Sequence, residues 1–149
     1  MRILGLDPGE KRIGVAISDP LGITAQGLEV ISYSDTDQAL NRIYEICLGY
    51  SVEKIVVGNP LNMSGSKGSA SEQAEIFADS LSSKTGLPVE MLDERLTSGS
   101  AEKTLIAGGA SRKKRRKVKD KLAAVLILEQ YLALTESSRN RGVNSDEQW

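Results

Sequence analysis

Two largely apolar runs, Arg2 to Leu6 and Ile13 to Ser18, are separated only by Asp7 and the turn-forming stretch Pro8-Gly9-Glu10-Lys11-Arg12. A link that short joins antiparallel neighbours and excludes a parallel crossover between them. A third apolar run, from Gln26 to Ser32, extends the hairpin into a meander. The rhythm then changes. Asp35 or Thr36 can cap a helix running to about Tyr50, with Leu40, Ile43, Tyr44 and Cys47 on one face. Lys54 to Gly58 is a short continuous apolar run of the kind found in central parallel strands. A second helix spans Lys67 to Thr85, with Ala74, Phe77, Ala78 and Leu81 at helical spacing and Gly86 closing it. Pro88 to Leu92 is a fifth strand that runs into Asp93, Glu94 and Arg95. A short helix is expected from Thr97 or Ser98 to about Ala107, ended by Gly108 and Gly109. A final helix from Val118 to Thr135 is apolar on almost every side and should lie buried against the sheet. A meander followed by crossover units predicts an α/β fold: a mixed five-stranded sheet with helices on both faces. Residues 1–135 then form one domain and 136–149 a polar, flexible tail.

Composition narrows the chemistry. The chain has no histidine and one cysteine, Cys47, so an internal disulfide, a zinc cluster and Ser-His or Cys-His catalysis are all excluded. Cys47 falls among Ile43, Ile46 and Leu48 and reads as a buried apolar residue. Aromatic residues make up only 4%, too few for a surface that binds single strands by stacking. The apolar run at the N-terminus is too short for a signal peptide or a membrane span, so the protein is expected in the cytoplasm with no membrane partner. Any acid–base or metal chemistry must use Asp, Glu, Lys, Tyr, backbone and water.

Three carboxylates stand out by position. Asp7 closes the first strand and Glu94 follows the fifth, and ligands in open α/β sheets gather beyond the carboxyl ends of strands. If both strands are central and parallel, these acids meet on one edge of the sheet. Asp120 lies in the first turn of the final helix and shares a line with Ala124, Ile127 and Tyr131, so it points inward with them. A lone inward acid is expensive to bury, and three converging acids repel each other. Divalent cations remove both costs, and an oxygen-only site suits Mg²⁺ or Mn²⁺. Two such ions about 4 Å apart activate water and stabilise the leaving oxygen of a phosphodiester. Each acid also has an ordinary explanation. Asp7 can simply end a strand before Pro8, Asp120 can favour the helix dipole, and Glu94 can pair with Arg95 or Lys103.

The residues that carry these acids resemble a known family. Asp-Pro-Gly-Glu-Lys-Arg-Ile-Gly-Val-Ala (7–16), Val-Gly-Asn-Pro-Leu-Asn-Met-Ser-Gly-Ser (57–66), Asp-Glu-Arg-Leu-Thr-Ser (93–98) and Asp-Lys-Leu-Ala-Ala (120–124), followed by Ile127-Leu128-Glu129, are similar to the YqgF/RuvX family. The likeness runs from residue 1 to about residue 135. It implies an RNase H-like fold related to RuvC-type junction resolvases. It also implies nuclease activity, either on Holliday junctions or in maturing the 5′ end of pre-16S rRNA during ribosome biogenesis. The family's acidic residues fall on Asp7, Glu94 and Asp120, and its members occur as monomers and dimers. Asn59, where an apolar residue is usual, and Ser64, where an acid is common, depart from the pattern in a loop rather than at the proposed metal ligands.

The charge distribution suggests the partner. Between Arg112 and Lys121 there are eight basic residues and one acid, whereas the remainder carries eleven basic against nineteen acidic residues. Arg112, Lys113, Lys114, Arg115 and Arg116 are therefore expected to contact a polyanion, with a solvated face or a ribosome-docking tail as alternatives. Arg12 can take a phosphate or pair with Glu10 or Asp19, Arg95 can orient Glu94 or reach substrate, and the Asn59–Lys67 loop can bind phosphate or merely connect. The expected protein is a nuclease that hydrolyses phosphodiester bonds in structured RNA or branched DNA. Two further readings stay open. One is a non-catalytic ribosome-assembly factor, and the other an ATP-binding relative of sugar kinases, for which one domain of this size is too small.

Overall fold

The computed structural model describes residues 1–60, 68–93 and 119–135. The elements are β1 (Ile3–Pro8), β2 (Arg12–Ser18), β3 (Ala25–Ser32), α1 (Thr36–Tyr50), β4 (Lys54–Asn59), α2 (Ser69–Thr85) and β5 (Val89–Asp93). A last helix, α3, covers residues 119–135. The expected short helix at 97–107, the basic run at 112–116 and the tail at 136–149 lie outside the described residues.

The strands form one sheet in the order β3-β2-β1-β4-β5. β1 pairs antiparallel with β2, and β2 with β3, whereas β1, β4 and β5 run parallel. This is the mixed five-stranded sheet expected from the meander and the crossovers. One assumption needs correction. β5 is not central but the edge strand, separated from β1 by β4. Because all three are parallel, their carboxyl ends still share one edge. A register shift between Val15 and Ala16 opposes them to Glu29 and Gly27 and leaves Leu28 as the extra residue.

Period-two alternation divides the sheet into two faces, each with its own core. Leu4, Leu6, Ile13, Val15, Ile17, Ile55 and Val57 face α1 and α2, where they meet Ile43, Cys47, Ala78 and Leu81. Ile3, Ala16 and Val56 face α3, where they meet Ala124, Ile127, Leu128 and Tyr131. Helices therefore cover both faces. Burying each large aliphatic side chain contributes about 1.5–3 kcal/mol.

α3 is one-sided rather than apolar all round. Lys121, Glu129, Ala133 and Leu134 are exposed, with Leu134 at 53%. The buried residues of the helix are Ala123, Ala124, Ile127, Leu128, Tyr131 and Leu132, which form its sheet-facing side. Its close approach to the sheet depends on small residues. A Cβ on Gly5 would lie 2.9 Å from Leu128 Cβ and 3.3 Å from the Ala124 carbonyl oxygen. No described helix is long and apolar enough to cross a membrane.

Candidate active site

Asp7 is the fifth residue of β1, two positions after Gly5 and four after Ile3, so its side chain rises from the α3 face. Its cross-strand partner is Gly14. α3 begins directly above that glycine, and a Cβ there would come within 1.9 Å of the Asp120 carbonyl oxygen. Cross-strand neighbours on one face have β-carbons about 5 Å apart. Asp7 and Asp120, distant in sequence, therefore converge at the carboxyl edge of the sheet, with Gly14 as the gap that lets the helix down.

Helical phase accounts for the orientation of Asp120. Ala124 and Ile127 are fully buried and Tyr131 is 8% exposed, so the line that Asp120 heads is the inward line. Its carboxylate is partly covered and has a cationic partner. Arg12 Nε donates to Asp120 Oδ2 at 2.7 Å, with the side chains 33% and 21% exposed. Neither Glu10 nor Asp19, the partners considered from sequence, takes this role. At that exposure the pair is worth about 1 kcal/mol at most.

The turn between Asp7 and Arg12 is held from β3 and its sequel. Gly9 N–H donates to the Arg12 carbonyl at 2.9 Å, and Tyr33 N–H donates to the Lys11 carbonyl at 3.1 Å. The Tyr33 hydroxyl donates to the Gly9 carbonyl at 2.5 Å. Burial, helped by nearby Glu10, pushes the Tyr33 hydroxyl pKa above its ordinary value and keeps it a donor. At the next strand end, Ser71 Oγ of α2 donates to Asn59 Oδ1 at 2.6 Å. Asn59 thus ties β4 to α2. A cavity of about 650 Å³ opens on the other face, lined by Gly9, Tyr33, Thr36, Gln73 and Phe77 among others. Neither Asp7 nor Asp120 borders it.

Gly5 and Gly14 were missed as site residues in the sequence. Their signal was available: Gly5, Gly14 and Ala16 are the small residues of one sheet face, and such a run marks where a helix approaches closely. Hard oxygen donors at Asp7 and Asp120 fit a divalent cation, and the Arg12 contact shows that a positive charge is accommodated beside Asp120. Among the described residues no three acids or cysteines cluster in metal-binding geometry; Glu94 lies outside them.

A profile for RuvX, described as Holliday junction resolvase, matches residues 1–134. The chain belongs to the RuvX family. RuvX relatives include a Listeria innocua protein named "Putative pre-16S rRNA nuclease", 53% identical over 137 residues that make up 91% of this chain and 99% of that one. A Bacillus subtilis protein of the same name is 50% identical over 134 residues, 89% of this chain and 97% of that one. Among solved structures, Thermus thermophilus RuvC in complex with a Holliday junction substrate aligns with a TM-score of 0.58 at 15% identity, covering 91% of this chain and 96% of that one. Fowlpox virus resolvase in complex with Holliday junction DNA aligns with a TM-score of 0.53 at 12% identity, covering 91% and 99%. At these identities the likeness shows the fold, which is RNase H-like. Within this RuvX chain, Lys67, Glu94, Arg95, Arg112, Lys113, Lys114, Arg115 and Arg116 fall outside the described residues.

Proposed function

We propose that this chain is a metal-dependent endonuclease that hydrolyses phosphodiester bonds in structured nucleic acid, and that it matures the 5′ end of pre-16S rRNA in the bacterial cytoplasm. The convergence of Asp7 and Asp120 over Gly14 carries this reading. Half-identical relatives named for pre-16S rRNA processing supply the substrate. A four-way DNA junction is the second reading, favoured by the family's description and by the fold shared with two junction-bound resolvases.

Asp7, Asp120 and Glu94 are assigned as the ligands of Mg²⁺ or Mn²⁺, two ions in all. Glu94 is taken as the third acid because the 93–98 stretch resembles the family's motif and directly follows β5 in sequence. Bound ions would lower the pKa of an attacking water and stabilise charge on the leaving oxygen. The chain's own work is to hold its acids at fixed separation and to guide the phosphate to them. Asp7 is set by a central strand and Asp120 by a helix seated on that strand's neighbour, so neither depends on a loop. Arg12, at the rim of the site, and the basic residues 112–116 are assigned to backbone phosphates, where binding is independent of sequence.

The test is a cleavage assay on pre-16S rRNA fragments and on four-way junctions, with Mg²⁺, with Mn²⁺ and with chelator. Asp7→Asn should abolish cleavage and spare binding, and chelator should stop the wild type. Cleavage by Asp7→Asn at the wild-type rate overturns the mechanism. Binding without any metal-dependent cleavage supports an assembly factor instead.

A further inference from the structure

We propose that Arg12 is a resident counter-cation of the acidic site, holding Asp120 when no metal is bound and competing with the metal for that carboxylate. The inference rests on the nuclease reading above, because it takes Asp120 as a metal ligand.

Two carboxylates share the α3 face beside Gly14, and the Asp120 side chain is only 21% exposed. Such a pair needs positive charge nearby. Arg12 supplies it from the opposite side of the hairpin turn, 108 positions away in sequence. The contact is made by Nε alone, at 2.7 Å to Oδ2. Elsewhere in the molecule an arginine grips its acid differently: Arg42 holds Glu29 with Nε at 3.0 Å and Nη2 at 2.6 Å. That two-point fork is the stronger and more rigid geometry. Arg12 makes a single-point contact from a backbone that is itself fixed. Its residue pairs with Ser32, and its carbonyl accepts from Gly9 N–H. The base is anchored while the head can leave.

A guanidinium and a hard cation cannot both sit at full strength on one small carboxylate, because they repel each other. Binding is therefore linked in both directions: metal weakens the Arg12–Asp120 contact, and Arg12 weakens metal binding by the same factor. The consequence concerns order. Metal entry releases a positive, planar donor at the rim of the site, where a substrate phosphate has to arrive. Arg12 in this scheme is a phosphate-binding residue that metal entry frees.

The experiment uses the full-length protein and Mn²⁺ as the probe, with affinity read by electron paramagnetic resonance and stability by thermal unfolding. Arg12→Gln keeps a hydrogen-bonding side chain without the charge. It should bind Mn²⁺ roughly tenfold more tightly than wild type, the effect of removing one nearby unit charge. It should also unfold at a lower temperature without metal and gain more from saturating Mn²⁺. Arg12→Lys retains the charge and should stay near the wild-type affinity. Unchanged or weaker Mn²⁺ binding by Arg12→Gln overturns the proposal. So does a thermal loss in Arg12→Gln/Asp120→Asn that adds to the loss in Asp120→Asn alone, since Arg12 would then act through something other than Asp120. If the wild type has no Mn²⁺ site that Asp7→Asn removes, the nuclease reading falls and this inference with it. Asp7-dependent binding that ignores Arg12 sinks the inference alone.

Discussion

A methyl group on Gly14 would sit 1.9 Å from the Asp120 carbonyl oxygen, and that oxygen belongs to helix backbone, which has no rotamer to escape into. Gly14→Ala must therefore lift the start of α3 or spread β1 from β2. Overpacking of this kind costs about 1–3 kcal/mol, and here it falls between the two acids. A displacement of about 1 Å between reacting groups can cost a hundredfold in rate. Gly14→Ala should thus lose cleavage by about that factor while denaturant titration still shows a folded protein. Gly49→Ala is the control: a Cβ there meets nothing within 4 Å, and the exposed end of α1 should tolerate it at wild-type activity. Full cleavage by Gly14→Ala would show that the acids do not depend on this approach. At this scale the sequence revealed the inward direction of Asp120, because helical phase needs only local spacing. It did not reveal the Arg12–Asp120 contact, which depends on where α3 lands on the sheet. Nor did it reveal what Asp19 holds. Its carboxylate accepts from the backbone N–H of Thr24, Ile23 and Leu21, and these bonds, Thr24 first, hold its pKa below the usual carboxylate range.

Element ends behave as their capping chemistry dictates, which makes them testable separately from catalysis. Asp35 caps α1 from an extended backbone, its Oδ1 accepting from Gln38 N–H at 2.9 Å. Asp35→Ala removes that bond and should cost about 1 kcal/mol, or a fall of about 4 °C in Tm for a chain of this size. α2 differs. Gly68 occupies its cap with φ −102° and makes no side-chain bond. Glycine is a fair cap in its own right, so Gly68→Ser should gain only a few tenths of a kcal/mol. Equal and opposite shifts of full size at both positions would contradict this asymmetry; paired thermal melts decide it. Legibility at this scale followed the same logic. Asp35, Gly86 and the Pro-Gly turn are local signals, and α1, the end of α2 and the β1–β2 hairpin were placed within a residue or two of where they lie. The edge position of β5 and the exposed side of α3 are set by what neighbours each element, and a continuous apolar pattern in one segment carries no record of its neighbours. Sequence pattern reached Asp7 and Asp120 through strand ends and helix phase.

The whole molecule keeps its charge segregated. The formal net charge is −1, yet eight of its nineteen basic residues lie between Arg112 and Lys121, with Asp120 inside that run. An acidic body repels a polyanion at long range, so the proposed nuclease would receive its substrate through the basic run, which leads in sequence into the helix carrying Asp120. On the proposed function, that arrangement couples capture and chemistry along the chain: phosphates neutralised by 112–116 would bring substrate to the segment that holds a proposed metal ligand. Contacts of this type release counterions, and affinity falls with salt at a slope of about 0.9 per neutralised phosphate on duplex DNA and about 0.7 on single strands. Arg115→Gln/Arg116→Gln should therefore weaken binding to RNA and to junction DNA alike and reduce that slope by up to about 2. Fluorescence anisotropy on the Asp7→Asn background, between about 50 and 200 mM salt, measures this without cleavage. The proposed metal site should be unaffected, so Mn²⁺ affinity in the wild-type background serves as the internal reference. An unchanged slope would mean that the basic run meets solvent or a protein surface, and that the acidic body finds its substrate by another route.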